Sequence, residues 1–167
     1  SAVVVSAQHS AEVKIDALRD AMSATKFGRP FSFDTPPKVF TGWYKYKAGA
    51  QFTDRFMNVL EQRDYGTIYA VLYDNHNAQG EAICLYGDNV QTSDRVVALA
   101  RLDNIDDTPE WTPFTLNFIY RKAVDAQKLR TGGYSLAIVC SSSTSGAEFM
   151  GAVGSTLWVD QFRVVCE

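Results

Sequence analysis

The sequence predicts an all-β fold, a jelly-roll β-sandwich of about eight antiparallel strands, and three observations predict it. Short runs rich in Val, Ile, Tyr, Phe and Trp recur along the 167 residues, the composition that fits a pleated, half-buried surface. Clusters of Gly, Asn, Asp, Ser and Pro separate these runs, as hairpins and corners require. Only one stretch, near the N-terminus, carries a helical pattern. Strands in series with at most one short helix are expected to pack as two sheets. The length suits a single domain over 1–167 with a sizeable core.

The chain opens at Ser1-Ala2-Val3 with neither Met nor a charged leader, and residues 2–6 read as a strand. The expectation is a form trimmed at its N-terminus, with any export signal removed. Over residues 11–26, Val13, Ala17, Leu18, Ala21 and Met22 share a stripe, Ser10 precedes it as a cap, and Gly28 and Pro30 end it. That pattern predicts the short helix, with a strand beginning near Val13 as its competitor. After Pro36-Pro37 comes VFTGWYKYK (39–47). Period-two reading sends Phe40, Tyr44 and Tyr46 to the core and Thr41, Trp43 and Lys45 to the other face.

Residues 50–64 are polar and irregular, a long loop. Residues 67–73 (TIYAVLY) form a near-continuous apolar run, expected of a central strand covered on both faces. Turn formers fill 74–80, and 81–86 reads as a returning strand, so the pair is expected to be a hairpin. A strand over 95–102 and an acidic loop over 103–109 follow. Residues 112–121 alternate, with Phe114, Leu116, Phe118 and Tyr120 inward and Thr115, Asn117, Ile119 and Arg121 outward. Gly132-Gly133 turns the chain into a strand at 134–141, and a Ser/Thr/Gly loop over 142–154 leads to the last strand, 155–166.

Parity changes within that last strand. Leu157 and Val159 share one phase, Phe162 and Val164 the other, so a core-facing set of four needs one extra residue at Asp160-Gln161, a β-bulge. A bulge there turns the Asp160 carboxylate to the sheet rim. It could then accept from nearby backbone N–H groups or join backbone carbonyls around a structural calcium.

Several function classes lose support. The net charge of −3 is spread without blocks, which leaves no footprint for nucleic acid. No apolar run is long enough for a transmembrane helix. His9 and His76 have no paired spacing for zinc. Cys84, Cys140 and Cys166 lack metal-ligand spacing; they read as small buried hydrophobes, or as one disulfide plus a free thiol. A glycosidase needs two carboxylates facing across a cleft, and no strand presents such a pair. Asp64, Asp74, Asp88, Asp94, Asp103, Asp106, Asp107, Glu61, Glu110 and Glu148 fall in predicted loops, where solvated surface is the ordinary role.

Binding residues are easier to find. Trp43, Lys45, Asn117 and Arg121 point outward from predicted strands, Trp111 lies beside them, and Tyr69 or Tyr73 could join. Rings stack on the C–H faces of sugars, while amide and guanidinium groups pair with hydroxyls. Trp158 reads as completing the core.

Five segments together resemble a known family: FGRPFSF (27–33), PPKVFTGWYKYKAG (36–49), GTIYAVLYD (66–74), WTPFTLNFIYR (111–121) and VGSTLWVDQFRVV (153–165). They resemble the putative carbohydrate metabolism domain, found on exported, outer-membrane-associated proteins of gut Bacteroidetes. The resemblance covers Phe27 to the C-terminus. It implies a sandwich similar to carbohydrate-binding modules, export to the periplasm or cell surface, and glycan capture beside other outer-membrane glycan-utilisation proteins. It brings no catalytic residues. The ending GSTLWVDQFRV is also similar to the terminal strand of several carbohydrate-binding modules, where an aspartate matching Asp160 helps hold calcium; Gln161 departs from the Asp or Asn more usual after it.

The expected function is therefore non-catalytic glycan binding by an exported, surface-associated module. A glycoside hydrolase or lyase using loop carboxylates is the first alternative. A structural or adhesion module that binds a protein through a flat face or an open sheet edge is the second.

Overall fold

A computed structural model describes the backbone of residues 3–6, and residues 26–87 and 89–167 in full. The strands in chain order are β1 (Val3–Ser6), β2 (Lys26–Phe27), β3 (Arg29–Phe31), β4 (Pro37–Lys47), β5 (Phe52–Thr53), β6 (Val59–Leu60) and β7 (Gly66–Asp74). They continue as β8 (Leu85–Tyr86), β9 (Val96–Ile105), β10 (Thr108–Asn117), β11 (Ile119–Tyr120), β12 (Tyr134–Ser141), β13 (Gly151–Ala152) and β14 (Thr156–Cys166). A short helix, α1 (Ala126–Arg130), precedes β12. Two antiparallel sheets, ordered β1-β14-β4-β10 and β11-β9-β7-β12-β3, make the predicted sandwich. Two small sheets, β13-β5-β6 and β2-β8, flank it. The helix expected over 11–26 lies outside the described residues, apart from Lys26 in β2, as do His9 and Asp88.

The four-stranded sheet is built around β4, which pairs with β14 on one side and β10 on the other. The predicted parity holds. Phe40 and Tyr46 are fully buried and Tyr44 packs against the same core, while Trp43 stays exposed. The buried Tyr46 phenol donates to the Ser142 carbonyl at 2.8 Å, and burial pushes its pKa well above the usual tyrosine range. Phe40, Phe114 and Phe162 meet edge to face with ring centres 5.1–5.8 Å apart, the geometry their quadrupoles favour. These rings close over Gly42, where a Cβ would fall 2.6 Å from Phe162 and 2.8 Å from Phe114. Only glycine lets β4 run beneath them.

The inner face of the five-stranded sheet supplies Ile68, Ala70 and Leu72 from β7 and Ala98 and Ala100 from β9, facing Leu157 and Val159 of β14. Each fully buried Leu, Ile or Phe is worth about 1.5–3 kcal/mol over its exposed state. The outer face of this sheet is covered too. Tyr69, Val71, Tyr73, Leu99 and Ala137 pack with Leu85, Val90 and Val96 in a second apolar cluster. β7 is thus the doubly covered central strand that its apolar run predicts. Tyr69 and Tyr73 are buried in this cluster rather than offered to a ligand.

The bulge in β14 is also present. Asp160 pairs with Trp43 and Arg163 with Thr41, so three steps of β14 span two of β4. Gln161 takes up the surplus with φ of +52°. Phe162 and Val164 accordingly turn back to pack on the core.

Four expectations need correction. The run at 112–121 is not one strand: β10 ends at Asn117, and the chain crosses at the buried Phe118 to β11 on the edge of the other sheet. The Phe118 N–H donates to the Lys38 carbonyl at 2.9 Å and fixes that crossing. Alternation continues across the corner, so periodicity alone cannot see it. Residues 67–86 do not form a hairpin, because β7 lies between β9 and β12 and β8 pairs with β2 instead. The two predicted loops at 50–64 and 142–154 meet as the β13-β5-β6 sheet. Finally, α1 is a helix the hydrophobic pattern does not announce: Asp125 caps it, accepting from the N–H groups of Gln127 and Lys128 at 2.8 and 3.0 Å.

Asp64 also departs from the surface role expected of it. It is 1% exposed, and its Oδ2 accepts from the Ala152 N–H and the Ser155 hydroxyl, both at 2.8 Å. A buried carboxylate needs such donors, and here it ties the two irregular segments together. Cys84, Cys140 and Cys166 are all free, and burial pushes the Cys140 thiol up to about 12.

Candidate functional site

All three tryptophans of the chain lie on the outer face of the four-stranded sheet. Trp43 and Lys45 occupy successive outward positions of β4, and Trp158 stands directly opposite Lys45 on β14. Leu157 and Val159 are buried, so Trp158 between them points out. That corrects its expected place in the core. The Leu157–Val159 parity already contained this answer.

Trp111 reaches the same face by an irregularity. Thr108 pairs with Tyr46 and Thr112 with Tyr44, so four steps of β10 span two of β4. The surplus residues, with Pro109 among them, swing Trp111 over β4. Proline is tolerated there because β10 is the sheet edge. The Lys45 ammonium ends up between two rings, 5.1 Å from the centre of Trp111 and 5.2 Å from that of Trp158. Both distances lie within cation–π range. This clamp fixes the rings and holds a cation at the head of a cleft.

The cleft has a volume of about 420 Å³ and is lined by Lys45, Tyr46, Lys47, Asp107, Thr108, Pro109 and Trp158. Its carboxylate is held in place from two sides. Asp107 Oδ1 accepts from the Ala48 N–H at 2.7 Å and its Oδ2 meets Arg63 at 2.6 Å. The same guanidinium reaches Asp106 at 2.7 Å. The Asp107 N–H and Arg63 together hold the Asp106 carboxyl below its usual range. Arg63 thereby pins the β9–β10 corner as one wall of the cleft. Aromatic faces, an ammonium, a carboxylate and a threonine hydroxyl converge there, a set that can stack on a sugar ring and pair with its hydroxyls.

Of the residues singled out in the sequence, Trp43, Lys45 and Trp111 come together. Asn117 is on the same face but four residues beyond Pro113, the partner of Trp43, or about 13 Å along the strand. Arg121 is not part of the site: it follows β11 on the other sheet, where its N–H donates to the Val97 carbonyl at 2.7 Å and its guanidinium to that of Gln91 at 3.3 Å. Lys47, Asp107, Thr108 and Trp158 line the cleft without having been singled out. Only Trp158 carried a signal in its own strand.

Asp160 lies across from Trp43. Its Oδ1 accepts from the Gln161 N–H at 2.8 Å, one of the two roles expected at the bulge. Among the described residues no three His, Cys, Asp or Glu side chains gather as a metal site. A calcium at this kink would take Asp160 as its side-chain ligand and backbone carbonyls for the rest.

The sequence profile of a family described as the putative carbohydrate metabolism domain matches residues 9–165. The chain belongs to this family. Two solved structures resemble this putative carbohydrate metabolism domain closely, and both are described as putative glycoside hydrolases. One, from Bacteroides thetaiotaomicron, has 40% identity and a TM-score of 0.81 over 91% of this chain. The other, from Bacteroides vulgatus, has 38% identity and a TM-score of 0.76 over 88% of it. The domain spans 44% and 58% of those two chains respectively, about half of their length. No curated protein matches it. Among the described residues no helix is long and apolar enough to cross a membrane.

Proposed function

We propose that this domain binds glycans without cleaving them, as an exported module of a surface glycan-utilisation system at the outer membrane or in the periplasm. The observation that carries the reading is the aromatic clamp: Trp111 and Trp158 about Lys45, above a cleft walled by Asp107 and Thr108. Trp43 extends that face by two residues along β4. The carboxylate in the cleft supports binding over cleavage, because Asp107 is occupied by Ala48 and Arg63 rather than set against a second acid. In a longer protein such a module would hold the polymer near partners that process it.

A glycan array followed by affinity electrophoresis tests this reading. Wild-type protein is expected to be retarded by at least one polysaccharide, and Trp111→Ala and Trp43→Ala to lose about tenfold in affinity, from stacking worth ~1–1.5 kcal/mol. Hydrolysis products released by the purified domain and abolished by Asp107→Asn would replace the reading with a glycoside hydrolase, as its structural neighbours are described, and elimination products would replace it with a lyase. No retention on any glycan would sink it. The same proposal includes a structural calcium at Asp160. Calcium is then expected to raise the unfolding midpoint and a chelator to lower it, and equal midpoints in both would remove the ion from the account.

A further inference from the structure

A second hollow opens on the opposite side of the sandwich, over the outer face of the five-stranded sheet. It measures about 230 Å³ and is lined by Thr67, Gln91, Arg101, Asp103, Asn104 and Thr144. Every lining side chain is polar, whereas the tryptophan cleft is walled by rings and lysines. A bulge builds it. Gly66 pairs with Ile105 and Ile68 with Leu102, so three steps of β9 span two of β7. Asn104 sits within that bulge, left-handed at φ +53°, a conformation asparagine tolerates better than most residues. Bulges of this kind re-aim side chains and recur beside functional sites.

The groups so placed form a matched set. Arg101 meets Asp103 Oδ2 at 2.7 Å, and the Thr67 hydroxyl donates to Asp103 Oδ1 at 3.2 Å. Guanidinium donors and carboxylate acceptors therefore stand side by side, with the amides of Gln91 and Asn104 offering one of each. A hydroxyl both donates and accepts, so a vicinal diol needs this mixture. Asp103 balances the charge of Arg101, which favours a neutral polyol over an anion. The volume is below the ~300 Å³ at which pockets begin to take drug-sized molecules, and suits a single sugar ring.

We infer that this hollow is a second saccharide site, which reads the hydroxyls of one neutral sugar residue and makes the domain bivalent. The inference rests on the carbohydrate reading of the tryptophan cleft. The two sites differ in kind: one stacks on a ring face, the other pairs with hydroxyl edges. They occupy opposite outer faces but share one end of the sandwich, where β9 turns into β10 through Asp106 and Asp107. Linked sites hold a polymer far more tightly than a short oligosaccharide.

The test is isothermal titration of a neutral oligosaccharide identified on the array, beside retention on the parent polysaccharide. Arg101→Met with Asn104→Gly removes the guanidinium and one of the two amides while glycine keeps the left-handed backbone. Wild type is expected to bind two oligosaccharides and this variant one, with polymer retention reduced about tenfold or more and an unfolding midpoint near that of wild type. If the double variant unfolds, Gln91→Ala carries the same expectation of one site from a separate loop. A stoichiometry of one in the wild type, or two in a folded variant, overturns the second site while leaving the tryptophan cleft intact. Failure of the wild type to bind any glycan overturns the carbohydrate reading itself.

Discussion

The outer faces of the two sheets have opposite fates. On the five-stranded sheet, β2, β8 and the segment around Val90 lay a second apolar cluster across Tyr69, Val71 and Tyr73, and seal most of that face. On the four-stranded sheet, the large side chains gather over Lys45 and stay in reach of solvent, with Trp43 and Trp111 each 39% exposed. One face spends its aromatics on stability and the other keeps them for contact. Aromatic content alone therefore says little about binding; what separates the two uses is whether another segment of the chain lies over the rings.

That contrast can be broken from the covered side first. Leu85→Ala empties part of the second cluster, in which Leu85 is 3% exposed, and is expected to cost about 2–5 kcal/mol in urea unfolding with glycan retention unchanged. A loss of binding as large as that of Trp111→Ala would mean the covered face also serves the site. Asp64→Ala comes next. It strands the Ala152 N–H and the Ser155 hydroxyl in a buried place, and a loss of about 3 kcal/mol is expected; a loss under ~1 kcal/mol would show that these donors find water or other partners.

On the open side, Trp111→Ala should reverse the pattern, changing stability by less than ~1 kcal/mol while glycan retention falls. A large drop in its unfolding midpoint would make Trp111 a structural cover. The smallest effect is in alkali. Burial raises the pKa of Tyr46 in the inner core and of Tyr73 in the outer cluster, whereas unfolded tyrosines ionise near ~10. The stability gained by keeping these phenols neutral is complete below pH ~10 and is lost as the pH rises through their folded values. Urea midpoints should stay level from pH ~7 to ~9 and fall above ~10, less steeply in Tyr46→Phe and in Tyr73→Phe. An unaltered slope in both variants would refute the burial argument.

Much of the sandwich was legible because its strands obey a short period. β4, β7, β12 and the kinked β14 follow directly from parity and apolar runs. What escaped depends on partners distant in sequence. Nothing in residues 50–64 tells that Phe52 and Thr53 will pair with Gly151 and Ala152, and nothing local tells that Asp64 will be buried by Ala152 and Ser155. The β10–β11 crossing was hidden because alternation persists through a corner that changes sheets. The site was half legible for the same reason. Trp43 and Lys45 follow from one strand's phase, but the slack in β10 that carries Trp111 over Lys45 exists only relative to β4.

The bulge at Gln161 makes β14 a strand of two phases. Upstream of it the even positions, Trp158 and Asp160, look outward; beyond it Phe162 and Val164, also even, look inward. Pairing β14 regularly through Gln161 would put Gln161 where Phe162 now meets Gly42, whereas deleting Gln161 would leave Phe162 opposite Gly42 in a strand without a bulge. Losing the bulge with every residue kept would invert every later side chain at once. The single surplus residue should therefore be removable with Phe162 and Val164 kept in phase. The bulge, rather than a count of residues, couples the aromatic surface at Trp158 to the core beneath Phe162.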